Sequence, residues 1–235
     1  MLIAAIQTEL DNLADASRVA VLQRFFKTGP GEYGAGDRFR GIRVPILRGL
    51  ARNYQDLSPV ETGRLLHSTF HEDRLLALLI LIRRYHRSDR VVRDQIHRLY
   101  LNNTRFVNNW DLVDVSAPHL LGHYLQDHPD DTLTRLAHSG NLWERRMAII
   151  ATLHFIKQQD FDETFRIARL LLGDPEDLIH KAVGWMLREV ATRQTAVAEA
   201  FLRAHYRTMP RTMLRYAIER LPEPRRQAYL KGTVA

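Results

Sequence analysis

The sequence predicts an all-α protein built as an α-solenoid of stacked antiparallel helix pairs. Two observations carry that class: nearly every segment outside the turns repeats its apolar residues with a period of about 3.6, and no stretch alternates as a half-buried strand does. A weak internal repeat is the third. Ala77, Ala117, Ala148, Ala182 and Ala217 each fall near the middle of the second helix of a pair, at spacings of 40, 31, 34 and 35. Small residues at that recurrence let successive pairs approach closely, and such stacking makes an extended concave surface.

Helices are expected near residues 2–14, 17–27, 44–55, 59–67, 72–87, 89–102, 109–126, 130–138, 142–158, 162–172, 176–191, 194–207 and 210–220. Ser58-Pro59-Val60-Glu61 reads as a capping box with proline at the first helical position, and Ser88, Asn141 and Asp174-Pro175 are further start signals. Residues 1–235 read as one domain, interrupted by a glycine-rich loop at 28–41. That stretch, TGPGEYGAGDRFRG, holds five of the 12 glycines. It is expected either to be a mobile loop that drapes Arg38 and Arg40 over a ligand or to be a plain surface connection. Its Gly29-Pro30-Gly31-Glu32-Tyr33-Gly34 matches a dinucleotide fingerprint in letters only, because that motif needs a strand before it and a helix after it.

With 45% hydrophobic and 26% charged residues, the 235-residue chain has an ordinary globular composition, which excludes disorder. Lysine plus arginine exceed aspartate plus glutamate by 34 to 27, so the net charge of +7 makes a polyanion the natural partner. Cysteine is absent, which removes disulfides, thiolate metal sites and cysteine nucleophiles. The start, MLIAAIQTELDN, lacks a basic leader and no later segment has the apolar length of a membrane span, so a cytoplasmic location is expected. The 11 histidines form no HExxH pattern, and His119 with His123 is an i, i+4 pair without acidic company. No metal site, serine nucleophile elbow or phosphate-binding loop is expected.

Three segments hold side chains with chemistry in them. On a helix over 176–191, Leu178, Ile179, Ala182, Val183, Met186, Leu187 and Val190 share one buried arc, while Trp185 points away from it between Lys181 and Arg188. Either this tryptophan meets a ligand or a neighbouring helix covers it. Asp114 lies one turn after Trp110, an acid on an otherwise apolar and aromatic stripe with Ala117 and Leu121, and Pro118 distorts the helix just beyond it. It reads as a catalytic carboxylate or as half of a buried ion pair. Arg146, on a helix apolar almost all round, must meet a carboxylate or a phosphate.

Taken together, Trp110-Asp111, Val113-Asp114 and Pro118, then Asn141-Leu142-Trp143 with Arg146 and Ala148, then Lys181 to Glu189, resemble the signature segments of the AlkD-type DNA alkylation repair glycosylases. Gly41-Ile42-Arg43-Val44-Pro45 with Arg48 is similar too, so the resemblance spans roughly residues 20–220. It implies HEAT-like repeats that cradle double-stranded DNA and excise N3- or N7-alkylated purines, as a monomer with no cofactor and no membrane association. By that resemblance Asp114 is the catalytic carboxylate, Trp110 and Trp185 flank the deoxyribose of the lesion, and Arg146 stands beside the acid. DNA contacts are expected from Phe25, Arg38, Arg40, Arg43, Arg48, Arg84, Lys157, Lys181, Arg188 and Arg215, with the basic residues of the second helices converging on one concave face. Phe25 stands where the family has a tyrosine and the glycine-rich stretch is long, which implies a divergent subfamily. The competing expectations are a DNA-binding repeat protein with little excision and a scaffold for an acidic protein partner.

Overall fold

Helices start where a side chain can take the first free backbone N–H groups and continue where an apolar stripe can be buried. The computed structural model describes residues 2–234, which group into two compact units, the first ending at Ser116 and the second beginning at Ala117. Among the described residues there is no β-strand; an isolated parallel bridge pairs Arg38 with Phe70. The all-α class is therefore correct.

The first unit contains α1 (Leu2–Asn12), α2 (Ala16–Phe25), α3 (Val44–Asn53), α4 (Pro59–Leu66), α5 (His71–Arg87), α6 (Arg90–Asn102) and the start of α7 (Trp110–Ala117). The capping box forms as expected: Ser58 Oγ accepts from the Glu61 N–H at 3.3 Å, and the Glu61 carboxylate accepts from the Ser58 N–H at 3.4 Å. For α6 the cap is Asp89 and not Ser88; its carboxylate accepts from the Val92 N–H at 3.0 Å. Helix α5 lies in the middle, packed on α3, α4 and α6, with Leu76, Ala77, Leu78, Ile80 and Leu81 fully buried.

The start of α5 overturns the mobile reading for residues 37–41. His71, Glu72, Asp73 and Arg74 are consecutive, polar and all buried. Each has a partner in the glycine-rich segment: Glu72 accepts from the backbone N–H groups of Arg40, Gly41 and Ile42 at 2.9, 2.8 and 3.2 Å, while Asp37 meets Arg74 at 2.6 Å and His71 at 3.1 Å. The Arg40 fork closes on Asp73 at 2.6 and 3.1 Å and also reaches Asp11. Arg40 stacks over Phe70 as well, 4.0 Å from its centroid. The segment is pinned by carboxylates, because buried charges of one helix demand counter-charges and this segment brings them.

In the second unit the distortion expected at Pro118 takes the form of a π turn over Pro118–Gly122, where the proline lacks an N–H for the regular ladder. It is followed by α8 (His123–Asp127), α9 (Thr132–Ala137), α10 (Leu142–Ala151), α11 (Leu153–Lys157), α12 (Asp162–Leu171), α13 (Asp177–Arg193), α14 (Thr195–His205), α15 (Arg211–Ala217) and α16 (Glu223–Lys231). Asn141 caps α10 through the Trp143 N–H at 2.9 Å. The helix expected over 142–158 breaks at Thr152, whose hydroxyl donates to the Ile149 carbonyl at 2.7 Å and competes with the regular ladder. The second helices of successive pairs stack in order, the π turn on α10, α10 on α13 and α13 on α15, with Ala117, Ala148, Ala182 and Ala217 fully buried.

The closest approaches belong to glycines. A Cβ on Gly184 would lie 2.5 Å from both the Met213 carbonyl oxygen and the Tyr216 Cβ, and one on Gly122 would collide with the Ala151 carbonyl. Gly184→Ala is expected to lower the unfolding free energy by roughly 1–3 kcal/mol, because backbone cannot yield as a side chain can. Gly173→Ala, with open space around it, should change stability by no more than about 0.5 kcal/mol in the same denaturant titration. Arg40→Met is expected to cost about 3–5 kcal/mol by leaving Asp73 buried without its partner. Arg38→Ala, an exposed position, serves as its near-neutral control.

Candidate active site

The first unit gathers an aromatic and acidic cluster at the start of α7. Asn109 fixes that start, its side-chain oxygen accepting from the Trp110 N–H at 2.8 Å. The half-buried Trp110 ring stacks on Phe26 with centroids 5.5 Å apart, and Phe25 meets its edge at 5.8 Å. Phe25 is 59% exposed, so the cluster continues to the surface. Phe25 and Trp110 are thus brought together as neighbouring rings.

Two carboxylates follow Trp110, both partly exposed. Asp111 is engaged by His71, whose Nε2 lies 2.8 Å from its Oδ2, while His71 Nδ1 lies 3.1 Å from Asp37. A ring with a carboxylate at each nitrogen needs a proton on both, since neutral imidazole offers one donor. Burial pulls the His71 pKa down, but the bonds and charges of Asp111 and Asp37 push it up to about 9. Burial likewise raises Asp37, yet His71 and Arg74 hold it below the ordinary carboxylate range. Asp114, half-buried one turn after Trp110, is the other acid. Beneath it the fully buried Tyr100 hydroxyl lies 2.8 Å from Ser116 Oγ, which donates to the Leu112 carbonyl at 2.6 Å. Burial drives the Tyr100 pKa upward, and the negative charge of Asp114 adds to the rise.

In the second unit, α13 follows its expected arc: Ile179, Ala182, Val183, Met186, Leu187 and Val190 are buried, whereas Leu178 at the edge and Trp185 opposite stay partly exposed. Trp185 donates its indole N–H to Glu189 at 3.1 Å, and Glu189 accepts from Arg193 at 2.8 Å. Burial raises the Glu189 pKa, but Arg193 and Trp185 outweigh it and keep the carboxyl ionised below its usual range. Lys181 pairs with Asp177 at 2.7 Å and Arg188 with Glu219, both partly exposed pairs that water weakens and a phosphate can replace. Arg146 is buried on α10 and donates to the Leu178 carbonyl at 2.6 Å, which ties it to the first turn of the helix that carries Trp185. Its neighbour Arg145 binds Asp174 at 2.6 Å.

The remaining cationic positions divide. Arg38, Arg43, Arg48, Lys157 and Arg215 are exposed, with Arg38 resting 4.7 Å over Phe70. Arg84 is partly exposed and donates to the Asp56 carbonyl at 3.0 Å. Arg40 must be corrected: its guanidinium is consumed by Asp73 and Asp11 inside the first unit, so it braces the fold and has no charge to offer DNA. Sequence reasoning gave no role to His71, Asp37 and Phe26, and named Asp111 only as the neighbour of Trp110. The available signal was the run of four polar residues His71-Glu72-Asp73-Arg74 at a helix start, where so much charge needs partners.

No helix of the described residues is long and apolar enough to cross a membrane. A search of curated proteins finds no match. Among solved structures, the chain resembles a predicted DNA alkylation repair enzyme from Enterococcus faecalis at 17% identity, with a TM-score of 0.69 over 89% of this chain and 97% of that one. At that identity the likeness concerns the fold. The family model for DNA alkylation repair enzymes matches residues 6–221, nearly the whole chain with Trp110, Asp114, Arg146 and Trp185 inside it, and the chain therefore belongs to the DNA alkylation repair enzyme family.

Proposed function

We propose that this protein is a DNA N-glycosylase that excises cationic N3- or N7-alkylated purines from duplex DNA. The observation that supports the reading is the placement of a partly exposed carboxylate, Asp114, one turn after the partly exposed Trp110 in a chain of the DNA alkylation repair enzyme family. An alkylated purine that already bears a positive charge is a good leaving group. The protein has mainly to stabilise the oxocarbenium-like sugar that develops as the glycosidic bond breaks. The Asp114 carboxylate does so by charge attraction and by positioning water, and the ring faces of Trp110 and Trp185 add their negative quadrupoles. Arg146 is assigned to a phosphate contact or to orienting the acid. This chemistry needs neither metal nor organic cofactor. Phe25 and the exposed Arg38, Arg43, Arg48, Lys157 and Arg215 are assigned to the DNA, their cations to the backbone, whose neutralisation makes binding steeply dependent on salt.

Asp114→Asn separates catalysis from binding, since it removes the charge while nearly keeping the size. Its benefit grows with the positive charge on the sugar, so its loss falls on the transition state. Excision is expected to slow by roughly tenfold to a thousandfold, about 1.4–4 kcal/mol, with duplex affinity unchanged. Single-turnover release of 7-methylguanine with enzyme in excess measures this directly. A variant as fast as wild type would remove Asp114 from the mechanism.

A further inference from the structure

We propose that His71 is the positioning residue of this site: its imidazole, clamped between Asp37 and Asp111, sets the place of the Trp110 ring. The proposal rests on the glycosylase reading for its consequence in catalysis, and on geometry alone for the clamp itself.

Two routes lead from His71 to Trp110. One is polar: Nε2 holds the carboxylate of Asp111, the residue next to Trp110 in the first turn of α7, at 2.8 Å. The other is aromatic. The His71 ring lies 4.8 Å from both Phe26 and Phe39, and Phe26 is the ring on which Trp110 stacks. The same imidazole grips the glycine-rich segment through Asp37 at 3.1 Å, and its backbone N–H donates to the Arg38 carbonyl at 2.8 Å. One side chain therefore joins α5, the glycine-rich segment and α7.

The charges around it balance. Asp37 and Asp111 face the ring from the two other elements and Arg74 faces Asp37 from α5, so His71 and Arg74 carry two positive charges against two negative ones. A buried cluster of this kind adds little stability compared with apolar side chains of the same volume. What it adds is direction, because each bond admits one arrangement of α7 relative to α5. Neutral imidazole has one donor, and loss of the second proton would set a lone pair against a carboxylate and release one arm of the clamp. The His71 pKa stands at about 9 in the folded protein against an ordinary 6.5. The contribution of the clamp is thus complete below pH 6.5 and is lost as pH rises through about 9.

The test is an NMR pH titration of the full chain without DNA, following the His71 ring nitrogens and the indole N–H signals of the tryptophans. Trp110 is expected to shift with the same midpoint as His71, near 9, while Trp185 does not follow it. His71→Gln should abolish the Trp110 transition. Should that variant fail to fold, Asp111→Asn keeps an acceptor but not the charge, and should lower both midpoints together by about one unit or more. A Trp110 signal indifferent to the ionisation of His71, or a His71 midpoint at or below 6.5, overturns the proposal. Asp111→Asn should also slow 7-methylguanine release by about tenfold at unchanged duplex affinity. Coupled titration in a wild-type protein that releases no base would overturn the glycosylase reading and leave the clamp standing. Uncoupled titration with Asp111→Asn as fast as wild type would overturn the clamp alone.

Discussion

Four buried polar residues at the start of α5 organise the first unit. His71, Glu72, Asp73 and Arg74 enter the interior together, and a charge without a partner there would cost several kcal/mol. Their partners come from the glycine-rich segment and from α7: Asp37, Arg40 and three backbone N–H groups on one side, Asp111 on the other. A loop rich in glycine is fixed because it supplies those partners. Gly41, with a φ of +87°, shows why glycine is needed: a Cβ there would collide with the Asp15 carbonyl, so the turn that offers its N–H to Glu72 admits no side chain. The same network fixes the first turn of α7, and with it Trp110 and Asp114.

The second unit works under a steric constraint. Successive helices approach until backbone meets Cα at Gly122 and Gly184, and the buried alanines of α10, α13 and α15 continue the stack. Helix α13 is held along its apolar arc by that packing, and its opposite face carries Trp185 with Lys181 and Arg188. Packing on one face therefore presents chemistry on the other.

The features legible in the sequence are those carried by local spacing. The buried arc of α13, the capping box at Ser58 and the distortion at Pro118 all follow from residues within a few positions of one another. Pairings across distance were not legible: Arg40 and Asp73 are 33 residues apart and His71 and Asp111 are 40 apart, and no local pattern says which acid an arginine will choose. That is why Arg40 reads as a DNA contact in the sequence and as an internal brace in the structure. Helix α16 escaped notice because only Tyr229 is buried on it, leaving no apolar stripe, although Gly232 in the left-handed region marks its end. The break at Thr152 was hidden for the opposite reason, since the apolar period runs through it unbroken.

Membership of a family of DNA alkylation repair enzymes places the chain in DNA repair, and the chemistry proposed for Asp114 makes a definite claim about which bond breaks. The most direct measurement is to incubate the wild-type protein with a duplex carrying a single 7-methylguanine and to analyse both products by mass spectrometry. Free 7-methylguanine together with a strand holding one abasic site is the predicted result. A strand that keeps its base, whether still methylated or with the methyl group alone removed, would contradict it.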